Sequence, residues 1–269
     1  MPATPAPKLP AWLSHYTDLS GLIGIIDQGV IRASNVAYLN DREELLHGVR
    51  CARAVLDRIV GNAKLRDWAE PIGKVVQQID TGRMPDTYAA CFCGRADLLS
   101  QWRGYGGGEQ GVAIHFSRTG LEELAAAEGR YLAPVEYGAV TAKSRINAEL
   151  KARLAELSQH EPKGDSHEQA VYRLLSELIP RFKHIGFKDE FEWRLVIQHQ
   201  AARDTVKFRA KRNIILPYVE IGGDGPLPIM AVRIGPGPDV QLTKRSVEQY
   251  LERRGYDLRV DVSSVPFRT

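Results

Sequence analysis

From Phe191 to Gly235 the chain reads as one strand after another, with no helix between them. FEWRLVIQ, VKFRA, NIILPYVEI and PIMAVRIG are each strand-like. Consecutive strands favour a mixed or antiparallel α+β fold over a doubly wound parallel sheet, in which strand and helix alternate. The earlier chain fits that class. LSHYT reads as a short strand, and Asp18 or Ser20 can cap a following helix through GLIGIIDQ that Gly29 would end. VIRAS is a second strand. NVAYLNDREE is a polar turn opening a helix in which Leu45, Val49, Ala52, Leu56 and Val60 recur at helical spacing. A further helix is expected over Lys64 to Gln78. YAACFC, GVAIHF and YLAPVEY then read as strands, followed by helices around Ala139–Ser158 and from about Ser166 to Ile185. Thr243–Arg254 reads as a last helix and YDLRVDV as a last strand. The expectation is a flexible, Pro-rich lead-in at 1–11, then one α+β domain at 12–269. Its core would be a mixed, largely antiparallel sheet, with a helical insertion at about 139–186.

Composition narrows the class further. The chain has 269 residues, enough to bury a real core, and 43% hydrophobic with 26% charged residues argues against disorder or a fibre. No apolar run approaches the roughly 20 residues that span a bilayer. MPATPAPKLPAWL lacks an apolar signal-peptide core, so a cytoplasmic, membrane-free protein is expected. Cys51, Cys91 and Cys93 cannot build a disulfide framework. Cys91 and Cys93 would share one face of a strand, a poor geometry for a bridge, and free thiols are the simplest reading. The seven histidines are dispersed, so no metal is expected. A net charge of +3 falls short of a nucleic-acid coat. Basic residues nonetheless gather in Arg203, Lys207, Arg209, Lys211 and Arg212, as a solvated edge strand or as a phosphate-facing patch. GYGGGEQG carries no Walker lysine and lacks the strand–loop–helix order of a Rossmann fingerprint.

Four polar clusters carry the candidate chemistry. His15-Tyr16-Thr17 would place His15 and Thr17 on one strand face, either as a strand-end histidine bonded to backbone or as a pocket pair for a ribose or amide. Asn40 and Asp41, with Glu43 and Glu44 behind them, suit a helix cap that borders the pocket. Ser100, Trp102, Arg103 and Tyr105 stand before glycines that let a backbone approach a ligand closely, while the rings could stack a base. A tight turn with Trp102 in the core is the alternative. In Glu190-Phe191-Glu192-Trp193-Arg194, strand alternation would put Glu190, Glu192 and Arg194 on one face. That pattern gives a surface salt bridge, or a carboxylate positioned by an arginine in a cleft.

Taken in order, these motifs resemble a widespread bacterial domain family of unknown function. The residues that carry the resemblance are His15-Tyr16-Thr17, Asn40-Asp41 with Glu44, Cys91-Phe92-Cys93, Trp102 with Tyr105-Gly106, Gly111 to Phe116, and Glu190-Phe191-Glu192-Trp193-Arg194, spanning residues 12 to 198. More distantly, LSHYTDLSGLIGIIDQGVIRAS is similar to the opening of ADP-ribosyltransferase-like proteins, including DNA-modifying toxins and tRNA 2′-phosphotransferases. That resemblance implies an ADP-ribosyltransferase-like fold with NAD as substrate and no metal. His15 would bond the adenosine ribose, and Tyr105 or Trp102 would stack on nicotinamide. Tyr16, Thr17, Ser100, Arg103 and Arg194 would complete the cofactor site. Glu192, with Glu190 as its competitor, would bond the nicotinamide-ribose 2′-OH and stabilise an oxocarbenium-like transition state.

Three functions follow as expectations. The first is NAD-dependent ADP-ribosyl transfer to a nucleic-acid or protein acceptor by a toxin or anti-phage defence effector. The second is a nucleic-acid or nucleotide binding module without catalysis, resting on Trp102, Tyr105, Arg103 and the basic segment. The third is a metal-independent nuclease with His15 and Glu192 as base and acid.

Overall fold

The computed structural model describes residues 9–38, 42–81, 86–106, 110–127, 129–159, 166–198, 204–211 and 213–266. Its centre is a ten-stranded, mostly antiparallel sheet. The strands are β1 (Trp12–Asp18), β2 (Val30–Asn35), β3 (Thr87–Cys93), β4 (Gly111–Ser117), β5 (Arg130–Pro134), β8 (Glu192–Gln198), β9 (Lys207–Lys211), β10 (Ile214–Gly222), β11 (Ile229–Ile234) and β12 (Arg259–Val262). Only the β11–β12 pair in this sheet is parallel, across the helix that joins the two strands. A separate two-strand pair joins β6 (Glu136–Tyr137) to β7 (Phe182–Lys183).

The sheet forks at β3. Along one edge β3 pairs over its whole length with β8, from Thr87↔Gln198 to Cys93↔Glu192. Along the other edge it meets two strands in turn. β1 joins at Ser14↔Cys93, and β2 joins at Ser34↔Ala89 and Asn35↔Tyr88. Between those contacts β1 and β2 part, and β1 goes on to pair with β4 while β2 pairs with β10.

Two apolar cores hold the molecule. One lies on a sheet face built from Leu13, Ile31, Phe92, Ile114, Phe116, Leu195, Ile221 and Ile234. Helix α1 (Leu19–Gln28) covers it with Leu22 and Ile26, α5 (Arg118–Leu124) with Leu121, and α8 (Val240–Arg253) with Val247 and Leu251. The other core is helical. α2 (Arg42–Val60), α3 (Ala69–Asp80), α6 (Ala139–Gln159) and α7 (His167–Leu178) enclose Leu56, Ile72, Val75, Ile146, Leu150, Val171 and Leu175. The helices after residue 139 therefore share one packed layer with α2 and α3.

The local rules account for most boundaries. Asp18 caps α1 by accepting from the Gly21 amide, and Gly29, at φ 63°, ends it with its amide bonded to the Ile25 carbonyl. Other boundaries differ from the sequence reading. The helix expected to reach Ile185 stops at Leu178, because Pro180 forces a short 3-10 turn at Ile179–Arg181 and the chain then extends into β7. The helix expected from Lys64 begins as a 3-10 turn at Ala63–Trp68. YLAPVEY splits into β5 and β6 around Val135. Glu190 is not on a strand: it ends a 3-10 turn at Ile185–Glu190, and β8 starts only at Glu192. Among the described residues no helix is long and apolar enough to cross a membrane.

Candidate functional site

The fork opens a cavity of about 440 Å³, within the size range of small-ligand sites. β1 contributes His15 and Thr17, the start of α1 contributes Ser20 and Gly21, β2 contributes Arg32 and Ser34, and β3 contributes Cys91. Tyr105 enters from α4 (Leu99–Tyr105), Lys183 from β7, Glu192 from the start of β8 and Arg209 from β9. A smaller void of about 60 Å³ shares His15, Cys91, Tyr105 and Glu192 and adds Ser14, Gln101 and Glu190. Gly21 keeps the α1 wall close to β1, since a Cβ there would lie 2.0 Å from Thr17 Oγ1.

His15 is fixed by the fork itself. Its Nδ1 lies 2.9 Å from the Cys91 carbonyl oxygen, where β1 and β2 have parted. A carbonyl only accepts, so Nδ1 carries the proton of this bond. Burial lowers the His15 pKa, the Cys91 bond opposes this, and the nearby Arg209 charge adds to the lowering. The ring is therefore neutral at pH 7, and Nε2 holds a lone pair able to accept from a ligand hydroxyl. Phe92 meets the ring edge-on at 5.8 Å.

Glu192 is the centre of a buried charge cluster. Arg194 Nε donates to its Oε1 at 2.7 Å and Arg194 Nη2 to its Oε2 at 3.1 Å. Lys183 Nζ donates to Glu192 Oε2 at 3.0 Å and to Glu190 Oε2 at 2.6 Å. Burial alone would raise the Glu192 pKa. The charges of Arg194 and Lys183, with hydrogen bonds from Arg194 and Cys91, outweigh it and hold the carboxyl at about 2. Two carboxylates thus face two cations, of which Glu192, Lys183 and Arg194 are buried and Glu190 is partly exposed. Arg194 and Glu192 are buried, not turned outward as a surface pair, and Arg194 Nη1 is tied to the Pro180 carbonyl at 2.8 Å. The Tyr137 hydroxyl accepts the Glu192 amide at 2.8 Å. Phe191, immediately before it, adopts φ 48°, a left-handed conformation that bulky residues rarely take. It is held by the Gly94 amide on its carbonyl and by Arg95 lying 3.9 Å over its ring. A strained residue beside a buried carboxylate is a mark of functional sites.

The structure brings His15, Thr17, Tyr105, Glu190 and Glu192 to the two cavities. Tyr16 also borders them, but its hydroxyl donates to the Arg95 carbonyl and accepts the Leu98 amide, both at 3.1 Å, and so braces the α4 turn. Arg194 supports Glu192 from behind. Ser100 and Arg103 are exposed on α4 and line neither cavity. Trp102 is core: its Nε1 donates to Asp97 at 2.8 Å, and its ring leaves no room for a Cβ at Gly235. Of the two rings expected to stack on a ligand, Tyr105 lines the cavity and Trp102 does not. Asn40 and Asp41 lie outside the described residues, as do Gly107, Gly108, Arg203 and Arg212. Of the basic segment, Lys207 pairs with Glu220 while Arg209 enters the cavity. The sequence reading missed Lys183, Cys91, Arg32 and Ser34. Pro180 was the visible signal for Lys183, since it ends the helix that would have turned this residue elsewhere. Arg32 and Ser34 alternate along VIRAS, which marks one strand face but not what that face meets.

The class of protein is thus a mixed α/β fold with a ligand-sized cleft where its sheet divides, flanked by a buried carboxylate–cation cluster. The model of a family described as protein of unknown function (DUF2971) matches residues 101–195, so a domain of that family is found there. That stretch carries Tyr105, Lys183, Glu190, Glu192 and Arg194, whereas His15 lies before it. Comparison with curated proteins and with solved structures gives no match. Among the described residues no group of three or more His, Cys, Asp or Glu side chains could hold a metal ion.

Proposed function

We propose that the cleft binds NAD and breaks its nicotinamide–ribose bond, transferring ADP-ribose to an acceptor. The observation that carries this reading is that His15 and Glu192, far apart in sequence, line one cavity. They bring to it the two properties the reaction needs. Neutral His15 offers Nε2 to a ribose hydroxyl. Glu192 is a fixed anion, ionised at any pH well above its pKa of about 2. As the C–N bond breaks, nicotinamide leaves as a neutral base with the bonding electrons, and positive charge develops on the ribose. A carboxylate already in place stabilises that charge without reorganising. The acceptor then attacks the same carbon and loses its proton. The same ionisation counts against the nuclease reading, because Glu192 has no proton to give as an acid.

A second reading has its own support. Glu192 receives bonds from Arg194 twice, from Lys183 and from Cys91, and a carboxylate has about four acceptor sites. A fully engaged carboxylate suits a structural role, in a pocket that binds a nucleotide without cleaving it. Nicotinamide release from NAD by the purified chain separates the two. Release that falls by about 10²-fold or more in Glu192→Asn and Glu192→Gln supports the enzyme. Saturable NAD binding with no release in the wild type sinks it in favour of the binding module.

A further inference from the structure

Arg32 and Arg209 enter the cavity from neighbouring parts of the sheet, and among the described residues neither forms an ion pair. Their guanidinium groups lie 5.2 and 5.6 Å from the centre of the Tyr218 ring. Their side-chain partners are neutral. Arg32 Nη2 donates to Gln28 Oε1 at 2.8 Å, and Arg209 Nη2 donates to Ser34 Oγ at 3.1 Å. Arg209 Nε is buried and has no acceptor among the described residues. Glu220 stands opposite Arg32 in register, but its carboxylate is bonded to Lys207.

Two like charges sharing one aromatic ring oppose each other unless an anion joins them. Burial, and then the charge of Arg32, both lower the Arg209 pKa. A buried guanidinium N–H with nothing to bond costs free energy until an acceptor arrives. The N-terminus of α1 offers no rival anion site, because Asp18 caps it and accepts from the Gly21 amide and Ser20 Oγ.

We propose that Arg32, Arg209 and Ser34 form a phosphate subsite, so that the ligand of this cleft is a phosphate-bearing nucleotide. Planar guanidinium groups match phosphate oxygens in geometry as well as charge. The name NAD rests on the reading above, whereas the phosphate chemistry does not. The phosphate has two sources. It can be the pyrophosphate of a dinucleotide, or a phosphate carried on the adenosine ribose, since Arg209 and His15 line the same cavity.

The test is calorimetric binding of adenosine, ADP-ribose and ADP-ribose 2′-phosphate to the full chain. The variants are Arg32→Gln, Arg209→Gln, Arg209→Lys and, as a control on an exposed helix outside the cleft, Lys74→Gln. The expected result is that Arg209→Gln and Arg32→Gln each weaken the phosphorylated probes by about 10- to 100-fold. Adenosine binding and the Lys74→Gln control should not change, and Arg209→Lys should fall between. Equal losses for the two phosphorylated probes assign the pyrophosphate, and an added loss confined to the 2′-phosphate assigns the ribose phosphate. Phosphorylated probes that bind no better than adenosine, that do not bind at all, or that ignore both arginine variants overturn the subsite. Arginine-dependent binding without nicotinamide release sinks the proposed reaction and leaves the subsite standing. Release that is insensitive to both arginine variants does the reverse.

Discussion

Replacing Glu192 by Gln removes one charge from a buried cluster of two carboxylates and two cations. Its cost can be worked from the carboxyl itself. Its pKa is held at about 2 against an ordinary 4.5, which corresponds to roughly 3 kcal/mol at about 1.4 kcal/mol per pH unit. That lies at the lower edge of the ~3–5 kcal/mol expected when one partner of a buried pair is removed. For a chain of this size it amounts to a fall in Tm of roughly 6–12 °C. The double variant Glu192→Gln with Lys183→Met restores neutrality, leaving Arg194 against Glu190. It should recover part of the loss, giving a coupling energy of about 1–3 kcal/mol in the double-mutant cycle. Thermal and urea unfolding of the four proteins measure this directly. The pH dependence has a definite sign. The folded pKa is depressed, so the stabilisation is present above about pH 4.5 and is lost as pH falls toward about 2. Glu192→Gln should flatten that decline. An unfolding free energy within about 0.5 kcal/mol of wild type for the single variant would refute the claim that the cluster is buried and mutually dependent.

Two further predictions concern the frame of the site. Burial, with the charge of Arg233, holds buried His115 at about 4 against an ordinary 6.5. Protonating it therefore costs the fold about 3 kcal/mol, so stability is level above pH 6.5 and declines as pH falls toward about 4. His115→Gln should remove that slope from a stability–pH profile, and an unchanged slope would discount the assignment. At Gly48 in α2, a Cβ would lie 2.7 Å from the Ile179 carbonyl oxygen. Gly48→Ala should cost about 1–3 kcal/mol through backbone displacement. It should also weaken ligand binding, because Pro180, the next residue, anchors Arg194. An alanine variant as stable as wild type would show that α2 does not set this backbone.

The strands and their mostly antiparallel pairing were legible because β-branched runs at short spacing leave few alternatives. The caps of α1 were legible for the same local reason, with Asp18 and Gly29 in the positions their chemistry favours. Branching of the sheet at β3 was not legible. Nothing in YAACFC states that one edge serves two strands, and the cavity follows from that branching. The polar clusters were visible, but their burial was not. Alternation placed Glu192 and Arg194 on one face and left open what covered it, and the cover comes from the Pro180 turn, Lys183 and Tyr137. Trp102 shows the converse error. Adjacent glycines suggested an open flap, whereas Gly111 and Gly235 are small because the indole packs on them.

The occupied state of Glu192 bears on how a ligand could reach it. A ribose hydroxyl needs one of the acceptor positions now filled, so one donor must yield. Arg194 is held at both ends, by two bonds to Glu192 and by the Pro180 carbonyl. The Cys91 thiol is a weak donor and borders the cavity. Lys183 has a second carboxylate, Glu190, at the shorter distance of 2.6 Å. Cys91 or Lys183 can therefore turn away without leaving a buried charge unpaired, and Arg194 cannot. In the proposed reaction this makes Glu190 the counter-ion of Lys183. With Lys183 held by Glu190, the Glu192 oxygen it leaves is open to a ligand where positive charge develops. Removing Glu190 would instead leave an ammonium group facing that charge.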